Sequence, residues 1–382
     1  MISSAIAAPS PCATLQAQIA AAPIGPVFLA SYPTAGPGPL QDTAFLYDNA
    51  AAAIALAGCN DIPAARRIGD AILFAQDHDR AWHDGRLRNA YLAGTPARPI
   101  KLSGWWDPHQ NRWFEDRYQV GSDTGNMAWA MLALLALDRV TNDPRYRAGA
   151  VRLAAWLERW RDGKGPGGFT GGAFGHEPSP DTLRWKSTEH NTDLAAAYRA
   201  LAQTTGDKTW LTPARAAESF VRAMWTKDRF AVGTATDGVT HNPLLALDAQ
   251  IWPLLALPDT ARYAPVLATV HTELSQSGGY AYSEARDGLW TEGTAQVALL
   301  AALSGREQEA AALRAVITGM RTKDGSGYYA SDRSALPTGF MLDTDPTKAR
   351  EYFHIAHLAA LAWAALAAQR FNPFTGAHAL VR

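Results

Sequence analysis

The sequence predicts an all-α fold: a closed ring of six inner and six outer helices, with short β-hairpins in the long loops of one face. Three observations carry this. One segment type recurs six times, a polar opening with an acid or histidine that runs into a stretch apolar on nearly every side, as a helix buried all round requires. A second, amphipathic segment type alternates with it. The connections alternate too, a few residues in one direction and long in the other.

In chain order, "CATLQAQIAAA" is the first outer helix and "FLYDNAAAAIALAG" the first inner one. The turn "CNDIP" leads to outer "AARRIGDAILFAQ", and a long loop over residues 77 to 121 leads to inner "VGSDTGNMAWAMLALLALDRV". "TNDPRY" turns into outer "YRAGAVRLAAWLERW", and residues 161 to 187 return the chain to inner "STEHNTDLAAAYRALAQTTG". Outer "TPARAAESFVRAMW", a loop over 226 to 246 and inner "LALDAQIWPLLALPD" follow. Outer "RYAPVLATVHTEL", a loop over 276 to 290 and inner "LWTEGTAQVALLAALSG" come next. The last pair is outer "QEAAALRAVITGMR" and inner "REYFHIAHLAALAWAALAAQRF", joined by residues 322 to 348. Each long loop delivers the chain to the start of an inner helix, so one face of the ring holds all the elaborate loops and polar openings. Long loops in a packed domain usually serve function. The 382 residues read as a single catalytic domain, 1–382.

Thirty-five Lys plus Arg balance 36 Asp plus Glu, for a net charge of −1, and no basic run suits nucleic acid or anionic lipid. Neither partner is expected, and no apolar run approaches the roughly 20 residues of a membrane span. The start, "MISSAIAAPSPCATLQ", lacks the basic front and long apolar centre of a signal peptide. Cys12 and Cys59 fit no metal or redox spacing. Both fall on the face away from the long loops, where a bridge between them would pin the first helix and place the protein outside the cytoplasm.

The polar openings gather Asp48, Asp123, Glu189, Asp193, Asp248, Glu292 and Glu351 around one funnel. Six helical hairpins with acids at the inner N-termini resemble the six-hairpin, or (α/α)6-toroid, glycosidases and their polysaccharide-lyase and sugar-epimerase relatives. "WTEGTAQVALL" and "STEHNTDLAAAYRAL" read like segments of bacterial proteins of that superfamily. The resemblance implies a monomeric enzyme acting on an oligo- or polysaccharide, either a hydrolase or a lyase or epimerase, or else a non-catalytic carbohydrate-binding toroid.

Glycoside hydrolysis needs one protonated and one ionised carboxyl flanking the bond, at a spacing that is wider in inverting enzymes. Asp193 lies four residues beyond Glu189, on the same helical face, and a like charge there raises a carboxyl pKa, so Glu189 is expected to be the general acid. Asp123 in "GSDTGN" and Glu292 in "WTEGTA" compete as the base, each followed by small residues that leave room for water or sugar, with Asp48 in reserve. Inversion is expected over retention. Flat aromatic faces suit pyranose rings, which makes Trp105, Trp106, Trp185, Trp290 and Tyr352 candidate substrate-binding residues beside Asp48 and Asp193. His190 and His354 at helix mouths could bind hydroxyls, or serve as the base of a lyase or epimerase. The acidic mouths lack the Arg and Lys that a uronic-acid lyase wants, and this favours the hydrolase.

No cofactor or metal is expected. "EYFH" has Glu-x-x-His spacing without a second copy, and "GKGPGG" follows a helix rather than a strand. No P-loop or serine-nucleophile elbow is present.

Overall fold

Apolar residues at every position of a segment leave it no solvent face, and the inner helices bury themselves accordingly. In the computed structural model, which describes residues 9–342 and 345–378, every residue from Thr291 to Ala302 and from Leu358 to Ala367 is buried. The inner helices are α2 (Leu46–Gly58), α4 (Thr124–Thr141), α6 (Thr188–Thr205), α8 (Leu247–Ala256), α10 (Thr291–Leu303) and α12 (Leu358–Gln369). Each packs on the next, and α12 packs back on α2, which closes the ring. Alanines dominate α2 and α12, and their small side chains let neighbouring backbones come close.

The outer helices are α1 (Pro11–Ala21), α3 (Ile62–Asp77), α5 (Pro144–Leu157), α7 (Leu211–Ala223), α9 (Pro265–Glu273) and α11 (Glu307–Gly319). They bury one stripe only; in α7 this is Pro213, Ala214, Ala217, Phe220 and Val221. Asp61 and Asp143 accept hydrogen bonds from first-turn N–H groups, so the short inner-to-outer turns double as helix caps. The described strands form five antiparallel pairs and one three-stranded antiparallel sheet, all in the loops between helices. Cys12 and Cys59 form a disulfide with Cα atoms 5.9 Å apart, tying α1 to the end of α2.

A recurring latch fixes the loops to five of the six inner helices, α2, α4, α6, α8 and α10. The fourth residue of α6 is Asn191, whose side-chain oxygen accepts from Phe169 N and whose amide donates to Phe169 O and Ser187 O. Asn49, fourth in α2, does the same with Leu29 and Phe45, and Gln250, fourth in α8, with Phe230 and Ala246. Thr294 in α10 accepts from Tyr280 N and donates to Trp290 O, and the sulfur of Met127 in α4 accepts from Leu87 N. A buried loop backbone must find partners for its polar groups, and one side chain per helix supplies them.

One boundary differs from the sequence expectation. The last inner helix begins at Leu358, not near Arg350, because Leu336–Leu342 pairs with Asp345–Tyr352 and keeps the chain extended. Glu351 and Tyr352 therefore stand on a strand. No described helix is long and apolar enough to cross a membrane.

Candidate active site

Each inner helix brings one ionisable side chain to the loop face. Asp48, Glu189, Asp248 and Glu292 lie in the first turns of α2, α6, α8 and α10, while Asp123 and His357 are the N-cap residues of α4 and α12. All six line one cavity of about 1270 Å³. In the stretch "STEHNTD", Ser187 caps α6 by accepting from His190 N at 3.2 Å, and Asn191 is the latch. Glu189 and His190 are thus left facing the cavity.

The inner helices alone bring five carboxyls to one cavity, and burial there penalises charge. Burial pushes Glu189 well above the usual carboxylate range, and Asp248 and then Glu292 push it further. Asp248 stands at about 6, raised by burial and held down by the N–H of Ala249 at 2.7 Å and by its neighbour Glu189. Burial raises Glu292 to about 7, while His357 and a hydrogen bond from Tyr47 pull it down. Burial opposes charge on His357, but Asp48, 3.2 Å from its Nε2, raises it above the ordinary histidine value. His190 is held down to about 4 by burial and by Arg350, so its ring is neutral at pH 7.

Asp193 does not line the cavity. It is fully buried behind Glu189, drawn to the Trp129 indole N–H, though neither of its oxygens closes a hydrogen bond of normal length. Burial and Glu189 raise its pKa. The carboxyl neighbour that weighs most on Glu189 is Asp248 on the next helix, not Asp193 on its own.

Trp105, Trp185, Trp290 and Tyr352 line the cavity, with Trp290 packed against Tyr282 and Tyr352. Trp106 does not. It sits on the hairpin Trp105–Asp107 with Arg112–Phe114, where alternation turns Trp105 and Phe114 to the cavity and Trp106 outward at 53% exposure. His354 is also outside the wall: its ring stacks on Tyr329 at 3.9 Å and its Nδ1 lies 2.7 Å from Ser331 O. The histidine at the mouth of α12 is His357, three residues on, because strand pairing delays the helix. Sequence reasoning also missed Tyr32, Tyr47, Trp129, Trp252, Tyr282 and Arg350, all of which line the cavity; with Arg117, Lys186 and Lys348 beside it on the wall, Arg350 overturns the expectation that the mouths lack Arg and Lys, because the long loops and not the inner helices supply these cations. Tyr47 carried a signal, since it precedes Asp48 in the same first turn. Tyr32 and Tyr282 lie in loops where nothing marks them.

Among the described residues, no group of three or more His, Cys, Asp or Glu could hold a metal ion.

Solved structures with the same arrangement include a glycosidase, with a TM-score of 0.61 at 14% identity over 94% of each chain. The fold is an (α/α)6 toroid. Two other toroids superpose similarly. A cellobiose 2-epimerase from Spirochaeta thermophila gives 0.62 at 15% identity, over 94% of this chain and 93% of that one. An alpha-amylase from Clostridium perfringens gives 0.59 at 11% identity, over 86% and 87%. No family model and no curated protein matches the chain. What is shared at such identity is the toroid, and the chemistry has to be read from this chain's own side chains.

Proposed function

We propose that the chain, as one catalytic domain, is a glycoside hydrolase cleaving an oligo- or polysaccharide with Glu189 as general acid and Glu292 as general base. One feature carries the reading: two cavity carboxyls on different inner helices sit in surroundings that hold a proton unequally. Glu189, pushed up by burial and by Asp248 and Glu292, keeps its proton, while Glu292 at about 7 is poised to accept one. Helix α8 lies between α6 and α10 in the ring, which suits the wider carboxyl spacing of an inverting enzyme. Trp105, Trp185 and Trp290 offer faces for pyranose rings, and Asp123 and Asp48 offer acceptors for hydroxyls. The glycosidase and amylase names borne by structural neighbours agree with this reading.

Digestion of a glycan library with analysis of products tests it. Chain shortening is expected, and Glu189→Gln should lower turnover by about 10²- to 10⁴-fold. Near-normal turnover by a folded Glu189→Gln protein would remove the assignment. Asp123→Asn measured beside Glu292→Gln distinguishes the base from a hydroxyl binder.

A second reading, a sugar epimerase, is favoured by the two cavity histidines. His190 is neutral and His357 is biased toward its cation, on inner helices at opposite positions in the ring. Such a pair could exchange a proton next to a carbonyl, and one structural neighbour bears the name cellobiose 2-epimerase. Incubation of cellobiose in D2O separates the readings: deuterium beside the reducing carbon without chain shortening marks the epimerase.

A further inference from the structure

Glu292 is surrounded unevenly. Its Oε1 accepts the Tyr47 hydroxyl and, at 3.4 Å, the Gln296 amide, whereas its Oε2 is buried and has no hydrogen-bond partner. The Tyr47 oxygen in turn accepts from Trp363 Nε1 at 2.7 Å. An indole N–H can only donate. The chain of bonds therefore has a single polarity: Trp363 donates to Tyr47, the Tyr47 proton turns away from Trp363, and Glu292 Oε1 receives it. The relay spans α12, α2 and α10, so three inner helices meet on one carboxyl.

We propose that Trp363 and Tyr47 are positioning residues: Trp363 orients the Tyr47 hydroxyl, whose proton occupies Glu292 Oε1 and leaves Oε2 as the oxygen that takes the proton of the attacking water. The inference rests on the reading of Glu292 as general base. In that step the water oxygen bonds to the anomeric carbon and its proton passes to Oε2. The glycosidic C–O bond breaks, and the leaving oxygen takes the proton of Glu189. Donors aimed at Oε1 favour the ionised carboxylate, opposing the burial that would otherwise keep it protonated. His357 also favours the ionised form while Asp48 and Asp248 oppose it, so without the relay a larger share of Glu292 would hold a proton at neutral pH.

The test follows the carboxyl itself. In protein labelled with ¹³C at the Glu Cδ, with the Glu292 signal identified by its loss in Glu292→Gln, the titration midpoint is compared between wild type and Tyr47→Phe. The midpoint is expected to rise by about one unit, as loss of one hydrogen bond to a charged group implies. The acid limb of kcat/KM for reducing-sugar release should move by the same amount. An unmoved midpoint in a Tyr47→Phe protein with wild-type circular dichroism and Tm would overturn the relay. The function reading fails separately, if Glu292→Gln still shortens glycans. Trp363→Phe gives a second check, since freeing the Tyr47 proton to point elsewhere should shift the midpoint the same way by less; a downward shift would also overturn the proposal.

Discussion

Glu189 and Glu292 occupy the same position, second in their inner helices, yet their neighbours bias one toward holding its proton and the other toward releasing it. Glu189 gains a carboxyl from α8, and Glu292 gains a hydroxyl from α2 and a cation from α12. Spacing along one helix reveals only partners three or four residues away, so the sequence pointed to Asp193 and could not reach Asp248. The tryptophans show the opposite case, in which a rule was available. Strand alternation separates Trp105 from Trp106, and the two should part in experiment. Trp105→Ala is expected to weaken oligosaccharide binding by about 1 kcal/mol in calorimetry, while Trp106→Ala leaves it unchanged. Equal losses in both variants would mean that the outer face of the hairpin also holds sugar.

At the scale of elements, all twelve helices were legible because the inner and outer types differ in where they are apolar, and five of six inner helices start where the polar openings place them. The exception has a physical cause: "EYFHIAH" is rich in aromatic and branched residues that a strand also accommodates, and pairing with residues 336 to 342 decides the matter. The latch residues explain why the openings hold more polarity than a cap needs. Asn191→Leu removes three hydrogen bonds and strands the backbone groups of Phe169, so a loss of about 3 kcal/mol is expected in urea denaturation. A change below about 1 kcal/mol would mean that water replaces the amide. The disulfide closes a separation of 47 residues, and reducing it should cost about 2–4 kcal/mol. Titration of the unreduced, denatured protein should find no reactive thiol; two would contradict the bridge and the oxidising compartment it favours.

For the whole molecule, the buried acids make stability depend on pH. Glu189, Asp193, Asp248 and Glu292 hold protons more tightly folded than unfolded, so folding takes up protons once pH exceeds about 4. Their contribution is therefore lost as pH rises toward their folded values, about 6 for Asp248 and about 7 for Glu292. For Glu292, a rise from 4.5 to about 7 corresponds to about 3 kcal/mol. His357, whose folded value is raised, loses its contribution in the same direction, as pH climbs through that value. His190, held at about 4, acts oppositely, and its contribution fades as pH falls below about 6.5. Thermal denaturation should accordingly show a Tm that declines from pH 6.5 to 8.5, with a shallower decline in Asp193→Asn. A Tm that climbs over this range would mean the acids are ionised in the fold.

Because α12 packs between α10 and α2, the first and last hairpins are neighbours, and Leu358 N donates to Ser31 O across the seam. The contacts that complete the circle are thus the most distant in the chain, and a nascent polypeptide emerging from the ribosome cannot make them until its final helix is out. Until then the carboxyls on the earlier helices lack the wall that α12 supplies, and Glu292 lacks both His357 and the Trp363 end of its hydrogen-bond chain. Translation arrested before residue 358 should therefore leave an arc of helices without a sugar pocket. Release of the last segment would complete the cavity wall.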